Sequence, residues 1–139
     1  VWRPAAYAII IQDGKILMSP QWGDGYDLPG GGVDMDELTT DALLREVKEE
    51  TGLDVKIDEL VTLRESFFTF RRKGKHTHTI ALYYTASVVG GELSTDGFVG
   101  GEKEYMKLAE WIPLEKFPEL KIYSSIDIKP IISDLISTL

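Results

Sequence analysis

Apolar and polar positions along this chain recur with periods that divide it into strands and helices. Ala5 to Ile11 is an uninterrupted apolar run of the kind expected for a strand buried on both faces. Asp13-Gly14 is a strong turn signal, and Lys15 to Met18 resumes the apolar character, so the two runs are predicted to form a hairpin. From Ser19 to Asp36 glycine, proline and aspartate are frequent, densest at Pro29-Gly30-Gly31-Gly32, which predicts a loop. Between about Leu38 and Thr51 the apolar positions follow helical spacing, and Gly52 tolerates the left-handed conformation that commonly ends a helix. Val55 to Phe70 and Thr77 to Val89 are rich in β-branched and aromatic residues. They flank the basic turn Arg71-Arg72-Lys73-Gly74-Lys75, so an antiparallel pair is expected. Gly90-Gly91 and Gly97 to Gly101 mark a second loop region, followed by a strand from Tyr105 to Ile112 running into Pro113 and a short helix near Leu114 to Phe117. A terminal helix from roughly Ile126 to Leu139 carries Pro130 in its first turn. Strands flanking a central helix, with another helix closing the chain, predict an α/β (α+β) fold with a mixed sheet sandwiched between helices.

Composition narrows the setting. At 139 residues, 27% charged and 43% hydrophobic, the chain reads as one globular domain, residues 1–139, rather than a disordered segment. Its apolar runs are far shorter than a bilayer span and no charged leader precedes them, so a cytoplasmic address is expected, with the start at Val1 rather than Met leaving upstream sequence open. The absence of cysteine excludes disulfides, zinc-thiolate sites and thiol nucleophiles. A formal net charge of -8 disfavours general attraction to a nucleic-acid backbone. An acidic chain still handles phosphorylated substrates when metal cations supply the positive charge locally.

The candidate chemistry lies on the central helix. At about 100° per residue, Ala42, Arg45, Glu46, Glu49 and Glu50 share one side while Leu43, Leu44 and Val47 lie opposite. Glu46 and Glu50 are spaced i, i+4 and Glu49 lies i+3 from Glu46, so their carboxylates fall within reach of a shared point. Like charges so spaced cost a helix about 0.2 to 0.5 kcal/mol per pair, a cost that a bound divalent cation reverses, and hard oxygen donors suit Mg²⁺ or, alternatively, Mn²⁺. Taken alone, the same glutamates also fit a solvated helix face. The adjoining glycine run adds backbone N–H groups that approach phosphate closely near a helix start.

Gly31, then Glu37, then Arg45-Glu46-Val47-Lys48-Glu49-Glu50-Thr51-Gly52-Leu53 stand at the spacing of a Nudix box, and the chain resembles the Nudix hydrolase family. A chance match of this kind is expected on the order of once in 10⁹ windows. The box covers 23 of the 139 residues, and Leu28-Pro29-Gly30-Gly31 and Trp111-Ile112-Pro113-Leu114 are also similar to family members. The resemblance implies an α/β/α sandwich and Mg²⁺-dependent hydrolysis of a phosphoanhydride bond. It further implies metal binding by Glu46, Glu49 and Glu50, an Arg45–Glu37 pair that holds loop and helix in register, and conformational roles for Gly31 and Gly52. A further loop carboxylate often joins such sites. Proximity to Trp111 selects Glu104, with Glu102 as second choice, and a solvated loop charge is the alternative for either. Asp36, directly before Glu37, departs from the glycine of many members.

Substrate choice lies outside the box. The proline of ADP-ribose enzymes and the tyrosine of dinucleoside polyphosphate enzymes are both missing from Phe67 to Arg72, which leaves by elimination a (d)NTP or modified nucleotide cut to NMP and pyrophosphate. ADP-ribose, nucleotide-sugar and dinucleoside polyphosphate hydrolysis are the alternatives. Trp22, Tyr26 and Phe70 are candidates to stack on a base and Arg71 to meet phosphate, against the plainer readings of packing and a solvated hairpin tip. His76 and His78 share a strand face, where hydrogen-bonded histidines are the ordinary finding. A prenyl-diphosphate isomerase site requires cysteine, which is lacking. A non-catalytic nucleotide sensor on the same scaffold is the rival from another class. The expected partner is a small-molecule nucleotide, without a nucleic-acid duplex or a membrane, and a homodimer is compatible with this reading.

Overall fold

The computed structural model describes residues 1–69, 74–98 and 107–139. Its strands are β1 (Trp2–Ile9), β2 (Ile11–Gln12), β3 (Lys15–Pro20), β4 (Tyr26–Asp27), β5 (Gly30–Gly32), β6 (Leu53–Thr69), β7 (His76–Gly91) and β8 (Glu110–Pro113). The helices are α1 (Thr39–Thr51) and α2 (Lys129–Ile136), with a 3₁₀ segment over Leu114–Glu119. One mixed sheet runs in the order β5-β1-β7-β6, with β1 parallel to β7 and the other pairs antiparallel. A smaller sheet has the order β2-β3-β4, and β8 pairs with β3.

Period-two alternation along β1 and β7 divides the core between the two faces of the mixed sheet. Ala6, Ala8, Tyr84 and Ala86 join Leu43 and Val47 of α1 in one cluster. Ile9, Ala81 and Tyr83 join Phe117, Ile128, Ile131 and Ile132 in the other. The result is the predicted layering of helix, mixed sheet and helix. Alanines where α1 crosses β1 keep that face shallow, and α1 packs directly against β1, β5 and β6.

Three expectations change. Asp13-Gly14 does close a hairpin, with both residues at positive φ as a type I′ turn requires, but it joins β3 to the two-residue β2. β1 instead leaves for the mixed sheet, where β7 gives it eight paired residues that two-residue β2 cannot match. The glycine-rich stretch is also more than a loop, because Gly30–Gly32 pairs with Ala5, Ala6 and Tyr7 as an edge strand. Its buried position and lack of side chains let α1 lie close above it. The last helix is shorter than expected, and Pro130 does stand in its first turn.

Candidate active site

The carboxylates of α1 are positioned by how that helix begins and ends. Gly52 takes φ 81 and donates its N–H to the Lys48 carbonyl, which closes the helix and turns the chain into β6. Thr51 supports the turn: its hydroxyl donates to the Val47 carbonyl at 2.6 Å and accepts the Leu53 N–H at 3.1 Å. Burial of Leu43 and Val47 fixes the rotation of the helix and contributes about 1.5–3 kcal/mol for each side chain. That rotation turns Arg45, Glu46, Glu49 and Glu50 toward β5 and the end of β3.

Arg45 is the hub. Its Nε and Nη2 donate to the two oxygens of Glu37 at 2.8 and 3.0 Å, a fork-to-fork pair, and Nη2 also reaches the Gly32 carbonyl at 3.3 Å. Nη1 donates to Glu46 at 3.1 Å and to Glu49 at 3.4 Å. The Arg45 bond, together with the Asp34 N–H, holds the Glu37 carboxyl down at about 2. The same carboxylates raise Arg45 further above its ordinary value.

Glu50 is held separately, on the far side of this face. Its Oε2 accepts the Gly30 N–H at 3.1 Å and the Ser19 hydroxyl at 3.4 Å. Burial pushes Glu50 well above the ordinary carboxylate range, helped by the charges of Glu46 and Asp27 and opposed by its two donors. The Gly30 N–H therefore serves a carboxylate rather than a phosphate. Gly31 leaves room for Glu46: a Cβ there would stand 2.8 Å from the Glu46 carboxyl carbon. Asp36, at the position flagged beside Glu37, adopts φ 65, a conformation aspartate tolerates better than most residues.

Ser19 and Asp27 escaped the sequence reading. Burial pushes the Asp27 carboxyl up to about 7, against the Leu28 N–H and the nearby Arg3. Both come from strands outside the box, paired as Ser19↔Asp27, and the sequence shows only a serine ending an apolar run, with nothing to mark it as buried. Tyr26 packs its ring against the core beneath the mixed sheet, and its hydroxyl is engaged by Glu110. Trp22 lies exposed on the loop between β3 and β4. His78 contacts Glu65 at 2.7 Å on the sheet surface. Phe70, Arg71, Glu102 and Glu104 lie outside the described residues.

Among the described residues no three metal-ligating side chains are grouped closely enough to hold an ion, since the Arg45 guanidinium lies against Glu46 and Glu49 while Glu50 bonds Gly30. The donor set itself suits a hard divalent cation. Three carboxylates project from just over one helical turn, and the charge of Glu46 raises the proton affinity of Glu50, a repulsion that such a cation relieves.

The profile of the NUDIX domain family matches residues 1–135. An ADP-ribose pyrophosphatase of Methanocaldococcus jannaschii is 32% identical over 120 residues, covering 84% of this chain and 64% of that protein. A putative 8-oxo-dGTP diphosphatase of Bacillus subtilis is 51% identical over 43 residues, covering 31% of this chain and 27% of its own length. Among solved structures, a UDP-X diphosphatase superposes with a TM-score of 0.75 at 19% identity, covering 99% of this chain and 62% of that one. The chain thus spans less than two thirds of the length of each of these three relatives. With a domain profile matched along nearly its whole length, this chain belongs to the NUDIX domain family.

Proposed function

We propose that this protein hydrolyses a phosphoanhydride bond in a nucleoside diphosphate linked to another group, with Mg²⁺ as cofactor. The observation that carries this reading is the joint placement of Glu46, Glu49 and Glu50 on one face of α1, against Gly30 and Gly31 of β5 and beside the Arg45–Glu37 pair. Glu46, Glu49 and Glu50 are the residues to hold the cation, which supplies charge neutralisation at phosphate oxygens and an acidified water. Arg45 keeps Glu46 and Glu49 close together on the helix face. Gly30 and Ser19 fix the Glu50 carboxylate before substrate arrives, so little reorganisation remains for the reaction itself.

A (d)NTP or modified nucleotide, cut to NMP and pyrophosphate, is the first substrate reading, supported by the lack of the proline and tyrosine signals after the box. ADP-ribose is the second, favoured by the relative of that name that aligns with 84% of this chain. The deciding experiment is a Mg²⁺-dependent screen of nucleoside triphosphates, 8-oxo-dGTP, ADP-ribose, nucleotide sugars, dinucleoside polyphosphates and capped RNA, with every product identified. Turnover of the best substrate is expected to fall by roughly 10²-fold or more in Glu50→Gln, with the fold retained. Full activity in that variant, or no cleavage of any compound by the parent protein, refutes the proposal, and the second outcome favours a nucleotide sensor.

A further inference from the structure

The turn that follows β7, residues 92–98, lies against the end of α1 that carries Glu49 and Glu50. The Ser94 N–H donates to the Thr51 carbonyl at 2.9 Å, satisfying a main-chain oxygen in the last turn of the helix. The Ser94 Oγ accepts the Asp96 N–H at 3.0 Å, the Phe98 N–H donates to the Thr95 carbonyl at 3.2 Å, and the Phe98 side chain is buried. The turn is thus pinned at both ends, and between the pins Gly97 meets the main chain of Glu49. A Cβ at position 97 would stand 2.6 Å from the Glu49 carbonyl oxygen, 2.7 Å from its Cα and 3.0 Å from its carbonyl carbon. The φ of Gly97 lies outside the left-handed region that favours glycine, so the contact and not the backbone conformation excludes a side chain.

We propose that Gly97 is a positioning residue for the metal ligands: through its contact with the Glu49 main chain, the turn sets where the Glu49 carboxylate stands relative to Glu50. The inference rests on the function proposed above, in which Glu46, Glu49 and Glu50 hold the cation. Main-chain atoms cannot swing aside as the end of a side chain can, and a metal constellation tolerates displacements of only about 0.5 Å. Clearing a Cβ from an oxygen 2.6 Å away takes a shift of that order in a close-packed contact. The buried Phe98 and the Ser94 bond hold the turn, so the shift falls on the helix end. There Glu50 is tied to β5 and β3 by the Gly30 N–H and the Ser19 hydroxyl, whereas Glu49 is tied to Arg45 of the helix itself. The two carboxylates then part instead of moving together.

The test is the binding of Mn²⁺ alone, without substrate, followed by the loss of the free ion's electron paramagnetic resonance signal. Gly97→Ala is expected to weaken binding about tenfold, as loss of a group that supports a metal ligand does. Its Mg²⁺ activation curve moves to higher concentration by a similar factor and kcat is largely restored at saturation, which does not happen in Glu49→Gln. Phe98→Leu loosens the turn without adding a contact and weakens Mn²⁺ binding by a smaller factor. Gly90→Ala, whose Cβ meets nothing closer than the Asp54 carboxylate at 3.6 Å, binds as the parent does. Ile132→Val, in the core on the other face of the sheet, lowers the melting temperature and leaves Mn²⁺ affinity unchanged, which separates positioning from general loss of stability. Parent affinity in Gly97→Ala or in Phe98→Leu, with Glu49→Gln impaired, overturns the proposal. So does an equal loss in Ile132→Val. Parent affinity in Glu49→Gln overturns the assignment of the metal ligands itself, and this proposal with it.

Discussion

Arg45 shows how one side chain sets the geometry of several others. It ties Glu37 of the preceding loop to the helix through two short bonds and also restrains Glu46 and Glu49. The pair with Glu37 was legible in the sequence because box spacing fixes both positions. Ser19 and Asp27 were not, because their approach to Glu50 depends on which strands pair and in what register. The Glu37 carboxyl lies at about 2 in the folded chain against an ordinary 4.5, so its contribution to stability is fully present above the higher value and is lost as pH falls through the lower one. Glu37→Gln is expected to melt below the parent protein at neutral pH, with the two melting temperatures converging as the solution is acidified through about 2. A difference that persists undiminished in that range assigns the stabilisation to something other than the carboxylate charge.

At the scale of elements, periodicity located α1 and the long strands well, because amphipathic helices and β-rich runs declare themselves locally. It misjudged segments whose state is decided by a distant partner. Gly30–Gly32 has little strand propensity of its own and becomes a strand because β1 offers it a buried edge. The apolar run after Pro4 continues into β2 without a break in character, so nothing local showed that its first part joins the mixed sheet and only its end the hairpin. The end of α1 is more rigidly specified. A side chain at position 52 faces both the left-handed backbone and the carbonyl of Glu92. Gly52→Ala is therefore expected to cost about 1–3 kcal/mol in chemical denaturation, and loss of less than a few tenths shows that the loop adapts.

Across the whole molecule, the family profile agrees with the resemblance carried by the box residues and the layered architecture with what patterning predicted, while charge adds a property that no single contact displays. With 23 acidic against 15 basic residues, the compact state carries substantial self-repulsion. A non-coordinating monovalent salt is expected to raise the melting temperature of the parent protein by a few degrees between low and physiological ionic strength, as the Debye length contracts to about 8 Å. A flat or falling response places the excess carboxylates too far apart to matter. No helix among the described residues is long and apolar enough to cross a membrane.

The parallel pairing of β1 with β7 has a consequence for how the chain is born. Val1 donates to the His76 carbonyl across a sequence separation of 75 residues. Because synthesis runs from the N-terminal side, β1 waits without its central neighbour until β7, more than sixty residues later, has left the ribosome. The β6–β7 pair closes a far shorter loop and is the natural nucleus. Assembly is then completed backwards, with β1 docking between β5 and β7, two strands made after it.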